Sequence, residues 1–224
     1  MKNFYENNRQ LIIGAIVGVL VVYLIVTMIV QNKLSGLQSY LDVEISEQVQ
    51  ELNELATIAG RGGSNDLTKI YVKDCPADER NKFDNLLSSL DTELSFTELR
   101  TLDDLFSLCG SVFADRRASM VAQLEQEIDV LNVYVTQKEL LNDNYKEDSP
   151  LPKWNELLDG EKEIRDLFYE QVAVQDQIIK MLLSGKAVNS AKLTDLRDTA
   201  GQVQGKLSAA TEKTSSLRKE LVLP

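Results

Sequence analysis

The sequence predicts an all-α protein, in which an N-terminal single transmembrane helix continues into an elongated extracytoplasmic helical bundle with coiled-coil-like hairpins. Three observations predict it. The run from Leu11 to Val30 holds no charged residue, and Tyr23 and Thr27 are its only polar side chains. About twenty helical residues at a rise of about 1.5 Å cover roughly 30 Å, the thickness of a bilayer's hydrocarbon core. Beyond the run, apolar residues recur at steps of three and four, the period of a helix face. Four prolines, eleven glycines and 6% aromatic residues suit long helices better than a β-domain.

Residues 1–10 read as a cytoplasmic tail, too short for an output domain, and 11–30 as the span through the lipid bilayer. Lys2 and Arg9 stand before the run against Glu6, whereas Lys33 is followed by Asp42, Glu44 and Glu47. The positive-inside rule then favours a cytoplasmic N-terminus, with the chain from about residue 31 in the periplasm or outside the cell. A cleaved signal peptide fits less well, because its apolar stretch is usually about 7–15 residues long and ends at small residues. Here the best cleavage candidate, Leu34-Ser35-Gly36, has Leu at a position that needs a small side chain. Within the span Gly14 and Gly18 form GxxxG, a spacing that lets two transmembrane helices touch backbone to backbone. Tyr23 and Thr27 lie four apart on another part of the surface, facing either a partner helix or, for Tyr23, the lipid interface.

Residues 31–59 continue as a membrane-proximal helix without a linker, with a stripe of Leu34, Leu37, Leu41, Ile45, Val49, Leu52, Leu55 and Ile58. Residues 60–74 form a Gly-rich connector. The stretch Gly60 to Asp66 lacks both the Walker and the Rossmann glycine patterns and follows a helix rather than a strand, which argues against a phosphate cradle. Leu67 to Val72 are expected to be extended.

The helical bundle domain spans 75–224. A short helix is expected from Pro76, with Asp78 and Glu79 at its positive end and Phe83, Leu86, Leu87 and Leu90 as its apolar face. Ser95 and Glu98 read as a capping box flanked by a Leu94–Leu99 staple. A long helix follows through Leu102, Phe106, Cys109, Phe113, Val121, Leu124, Ile128, Leu131 and Val135, with Gly110 and Asp115-Arg116-Arg117 as places where it bends or breaks. Asn142 to Pro152 reads as a loop whose acids do not match a calcium-binding spacing. The next helix carries Trp154, Leu157, Leu158, Ile164, Leu167, Phe168, Val172, Ile178, Ile179 and Leu182, and Gly185 ends it. In the last helix Leu193, Leu196, Ala200, Val203, Leu207, Ala210, Thr214, Leu217 and Leu221 alternate steps of three and four, an a/d heptad seam. It packs within the chain on the preceding helix or against another copy, and the short connection Gly185 to Asn189 favours the former.

Cys75 and Cys109 are the only cysteines. Neither sits in a CxxC pair, so zinc or thioredoxin-like chemistry is disfavoured. They are read as a disulfide, the other reading being two small buried residues. Each stands some sixteen to eighteen residues from a turn near Glu93, so both lie about 24–27 Å from it in an antiparallel pair and meet at its open end. A disulfide implies an oxidising compartment and so supports export.

The chain carries 24 basic and 35 acidic residues; setting aside Lys2, Arg9 and Glu6 leaves 22 against 34, a net charge of −12 after the span. That balance argues against nucleic acid and against anionic lipid lying along the domain. Histidine is absent, which removes Ser-His-Asp and Cys-His catalysis, histidine-bound zinc and haem, and Glu-x-x-His di-iron sites. Glu125, Glu127 and Asp129, and Asp103 with Asp104, are expected to face solvent. No cofactor is expected. The expectation is a non-enzymatic, membrane-anchored structural or assembly protein of the cell envelope, docking protein partners or copies of itself. The alternative is a ligand-sensing ectodomain that signals through a membrane partner, and a membrane-bound hydrolase is a distant third.

Overall fold

The structure, a computed structural model, describes residues 2–60, 75–90, 94–142, 144–184 and 190–222; side chains are described from Gly18 onward, apart from residues 58–60, 113, 190 and 222. Among the described residues there are seven helices and no strand: α1 (Lys2–Gly60), α2 (Ala77–Ser88), α3 (Phe96–Cys109), α4 (Val112–Leu141), α5 (Tyr145–Asp148), α6 (Leu151–Leu183) and α7 (Ser190–Val222). The expected connector from 61 to 74, the extended stretch Leu67 to Val72, the turn at 91–93 and the connection 185–189 lie outside the described residues. The chain divides into two compact units, one of residues 1–47 and 133–149, the other of residues 48–132 and 150–224.

α1 is one uninterrupted helix of 59 residues, so the apolar segment and the stripe after it share a single backbone. Two of its hydroxyls bond within the helix: Thr27 Oγ1 donates to the Tyr23 carbonyl at 2.7 Å and Ser39 Oγ to that of Ser35 at 3.0 Å. Such back-bonding lets a threonine sit in an apolar segment without an unpaired polar group. The buried stripe begins later than the sequence suggests. Leu41, Ile45, Gln48, Leu52 and Ala56 are buried, whereas Leu34 and Leu37 stay exposed. In the first unit the buried residues come from Leu41 and Ile45 of α1 and Val135 of α4.

In the second unit α2 and α3 form a hairpin. Pro76 is the N-cap of α2 rather than its first helical residue, and its carbonyl accepts from Arg80 N at 2.8 Å. The capping box at the start of α3 is present: the Ser95 hydroxyl accepts from Glu98 N at 3.3 Å, and Ser95 N donates to Glu98 Oε2 at 2.8 Å. Leu94 and Leu99 both join the hairpin core, where Phe83 and Phe106 pack with ring centroids 5.9 Å apart. Val174, Ile178 and Ile179 of α6 close that core.

The long helix expected after Ser95 is two helices. α3 stops at Cys109 and α4 starts at Val112, with Gly110 between them in right-handed helical geometry. A Cβ at Gly110 would stand 3.0 Å from the Phe106 ring, so the ring lies where a larger residue's side chain would go. Of the two places named for a bend or break, Gly110 is the one where the helix stops; Asp115, Arg116 and Arg117 are helical within α4. The expected loop 142–152 holds the turn of helix α5, and α6 opens at Leu151 with Pro152 in its first turn, where a missing N–H costs nothing.

Candidate functional site

From Val19 to Val30 every large apolar side chain of α1 is about half or more exposed, on all sides of the helix. The helix is long and apolar enough to cross a membrane, with mean hydropathy 1.6 over its best stretch, none of which is buried. A core helix of a water-soluble protein has the same composition but is covered by its neighbours. Gly18 lies in this segment, and a Cβ on it would meet nothing within 4 Å. Gly14 stands one turn earlier in the same helix, and its surroundings lie outside the described residues.

The first unit holds a half-open polar cleft of about 330 Å³, lined by Gln38, Asp42, Lys138, Asn142, Tyr145 and Asp148. Lys138 is engaged twice, by an ion pair with Asp42 and by the Tyr145 ring, whose centroid lies 3.7 Å from Nζ. Burial pushes the Tyr145 phenol up and Asp42 adds to the shift, while Lys138 opposes it. The lysine's charge is therefore neutralised within the cleft. No group of three or more metal-ligating side chains is present among the described residues.

The second unit contains what the periodicity did not anticipate, a fully buried carboxylate. Glu161 of α6 is 0% exposed and lies between two arginines. Arg218 of α7 donates to Glu161 Oε1 from Nε at 2.9 Å and also from Nη2, and Arg117 of α4 pairs with Oε2 through Nη2. Burial pushes the Arg117 guanidinium down from its usual range; Glu161 counters this and Arg218 adds to it. Arginine nevertheless remains charged at any ordinary pH. The three groups carry a net +1 and tie three helices together. At the residue just before Glu161, a Cβ on Gly160 would stand 2.6 Å from Thr214 Oγ1, so α6 and α7 approach closely here. Thr214 is buried, and its hydroxyl has no hydrogen-bond partner among the described residues.

The remaining sequence candidates fall into place around these features. Cys75 and Cys109 form a disulfide at the open end of the α2–α3 hairpin, with Cα atoms 5.2 Å apart. Along the α7 seam Val203, Leu207, Ala210 and Thr214 are buried, and Leu193, Leu196, Ala200, Leu217 and Leu221 are partly buried. Leu193, Leu196 and Ala200 pack on the hairpin core; Val203, Leu207 and Ala210 pack with Ile164 and Leu167 of α6. In the acidic run on α4, Glu125 and Asp129 are exposed as expected and Glu127 is partly buried. Glu125 pairs with Lys162 at 2.6 Å, and Glu127 Oε2 accepts from Gln48 Nε2 at 2.7 Å. A signal for the buried cluster does exist in the sequence. Arg117 falls on the Ala114–Val121–Leu124 stripe, and Glu161 falls between Leu157 and Ile164 on the stripe of α6.

The class these features define is an all-helical protein with one apolar N-terminal helix of membrane-spanning length and a disulfide-closed hairpin. No protein-family model, curated protein or solved structure matches the chain.

Proposed function

We propose that the chain is a single-pass membrane protein with a cytoplasmic N-terminus and an extracytoplasmic helical domain, and that it acts as a non-enzymatic structural or assembly component docking envelope partners or copies of itself. The observation that carries this reading is the apolar surface of α1 from Val19 to Val30, uncovered on every side. Lipid is the solvent that such a surface requires. The disulfide supports the outward placement of the domain, since cytosolic thiols are kept reduced. The seam of α7 and the continuity of α1 favour a helical platform over a catalyst.

Ligand sensing is the second reading, and the polar cleft around Lys138 and Tyr145 is the observation that favours it. Molar mass measured in detergent, together with the proteins that co-purify, separates the two. A stable oligomer or a stoichiometric envelope protein supports assembly. A monomer without partners, stabilised by a small polar ligand, supports sensing.

A further inference from the structure

The face of α1 turned away from the rest of its own unit has a regular composition. At about 100° per residue, Leu41 and Ile45, the buried residues of this helix in the first unit, lie about 140–180° round from Gly36. Gly18 and Gly36 are eighteen residues apart, five turns of about 3.6 residues, and therefore stand on one line. Ile25, Ile29 and Val43 fall within about 20° of that line, and Gly14 within about 40°. Ile25, Ile29 and Val43 are each more than half exposed, and a Cβ on Gly18 or Gly36 would meet nothing within 4 Å.

Lipid accounts for only the lower part of this line. Gly36 lies six residues beyond Val30 and Val43 thirteen, about 9 and 20 Å along the helix, whereas the headgroup layer adds roughly 5–8 Å on each side of the hydrocarbon. Gly36 and Val43 are therefore left bare in water. A glycine inside a helix costs about 1 kcal/mol relative to alanine, and among the described residues no packing contact requires one at 36. Gly201 and Gly205 of α7 are equally open, so openness alone carries nothing. What distinguishes Gly36 is its line with Gly18 and the apolar residues between and beyond them.

We propose that a second copy of this chain packs in parallel along this face, from the membrane segment up to Val43. The inference rests on the reading of α1 as a membrane span. Chains inserted with one topology stand parallel, so the same face meets itself at the same height, as a two-fold interface requires. No charged residue stands on the line from Gly18 to Val43, and the next residues on it are Glu47 and Glu54. In a parallel pair those carboxylates face their own copies and end the contact. The seam is thus uncharged where two copies meet and acidic where they must separate. The glycines allow the close backbone approach that helix association in membranes uses.

Single-cysteine cross-linking of the full chain in native membranes tests this. Cys75 and Cys109 are paired, so an introduced thiol is the only reactive one. Gly36→Cys and Val43→Cys place it on the seam; Ser35→Cys and Ser46→Cys place it about 80–100° round the helix. With a short bismaleimide, the two seam positions give several-fold more dimer than the two flanking ones, and adding Gly36→Leu to Val43→Cys lowers its yield several-fold. Equal yields at all four positions, or no dimer from protein that resists alkaline carbonate extraction, would overturn the seam and leave the membrane reading intact. Release of the chain by carbonate would overturn both.

Discussion

Replacing Glu161 with Gln strikes the most heavily determined polar site in the protein. The side chain is fully buried, accepts from Arg218 through two nitrogens and forms an ion pair with Arg117. The substitution keeps the shape but removes the only negative charge, so a cluster of net +1 becomes two guanidiniums of net +2. Those side chains are only 15% and 10% exposed and cannot turn fully into water. Breaking a buried pair from one side costs about 3–5 kcal/mol, because the orphaned charge stays buried. Two orphaned arginines place Glu161→Gln at the upper end of that range. The assay is urea unfolding of the full chain in detergent, followed by the fluorescence of Trp154, the single tryptophan, which is buried two turns before Glu161 on α6. Replacing all three charged residues together by methionine is expected to be far milder, neutral or stabilising by about 1–4 kcal/mol, because it leaves no unpaired charge. A Glu161→Gln variant within about 1 kcal/mol of the parent would refute the reasoning, since it would mean that the arginines reach solvent at little cost.

Three further outcomes follow from the packing and the caps. Gly160→Ala is expected to destabilise by about 1–3 kcal/mol by overpacking against Thr214, and adding Thr214→Ala should recover part of that loss; strictly additive effects would deny the contact. Reducing the Cys75–Cys109 bond, which closes a separation of 34 residues, should lower stability by about 4 kcal/mol through loop-closure entropy, read as a shift of the urea midpoint, and a shift under a quarter of that would contradict it. The Ser95 hydroxyl, and then the Ser95 backbone N–H, hold the Glu98 carboxyl below its ordinary range. Its contribution is therefore present above the unfolded pKa and lost as pH falls through the folded one. The stability gap between the parent and Glu98→Ala should narrow between neutral pH and about pH 3, and a constant gap would show that the carboxylate is not the group at work.

Much of the architecture was legible because it depends on local rules. The capping box at Ser95 needs only two residues three apart, and the α7 seam needs only a regular period. The cysteine pairing followed from equal distances to one turn. Other features depend on what lies opposite a residue, which periodicity does not report. Leu34 and Leu37 continue the stripe of α1 in sequence but are left exposed. Gly110 is visible in the sequence as a weak point, and the Phe106 ring that lies over it comes from one turn earlier in the same helix. Arg117 resembled a helix breaker because charged residues usually face water; its position on an apolar stripe, matched by Glu161 on α6, was the sign that it is buried. The prolines and acids of Asn142 to Pro152 predict a loop, although Pro152 is suited to the first turn of a helix.

The central claim is that α1 spans a membrane and carries the helical domain outside the cytoplasm. Labelling of the exposed Ser46→Cys variant in intact cells with a membrane-impermeant maleimide tests it most directly. The account predicts that the carbonate-resistant protein is labelled without permeabilisation. Labelling only after permeabilisation, or a protein found in the soluble fraction, would contradict it.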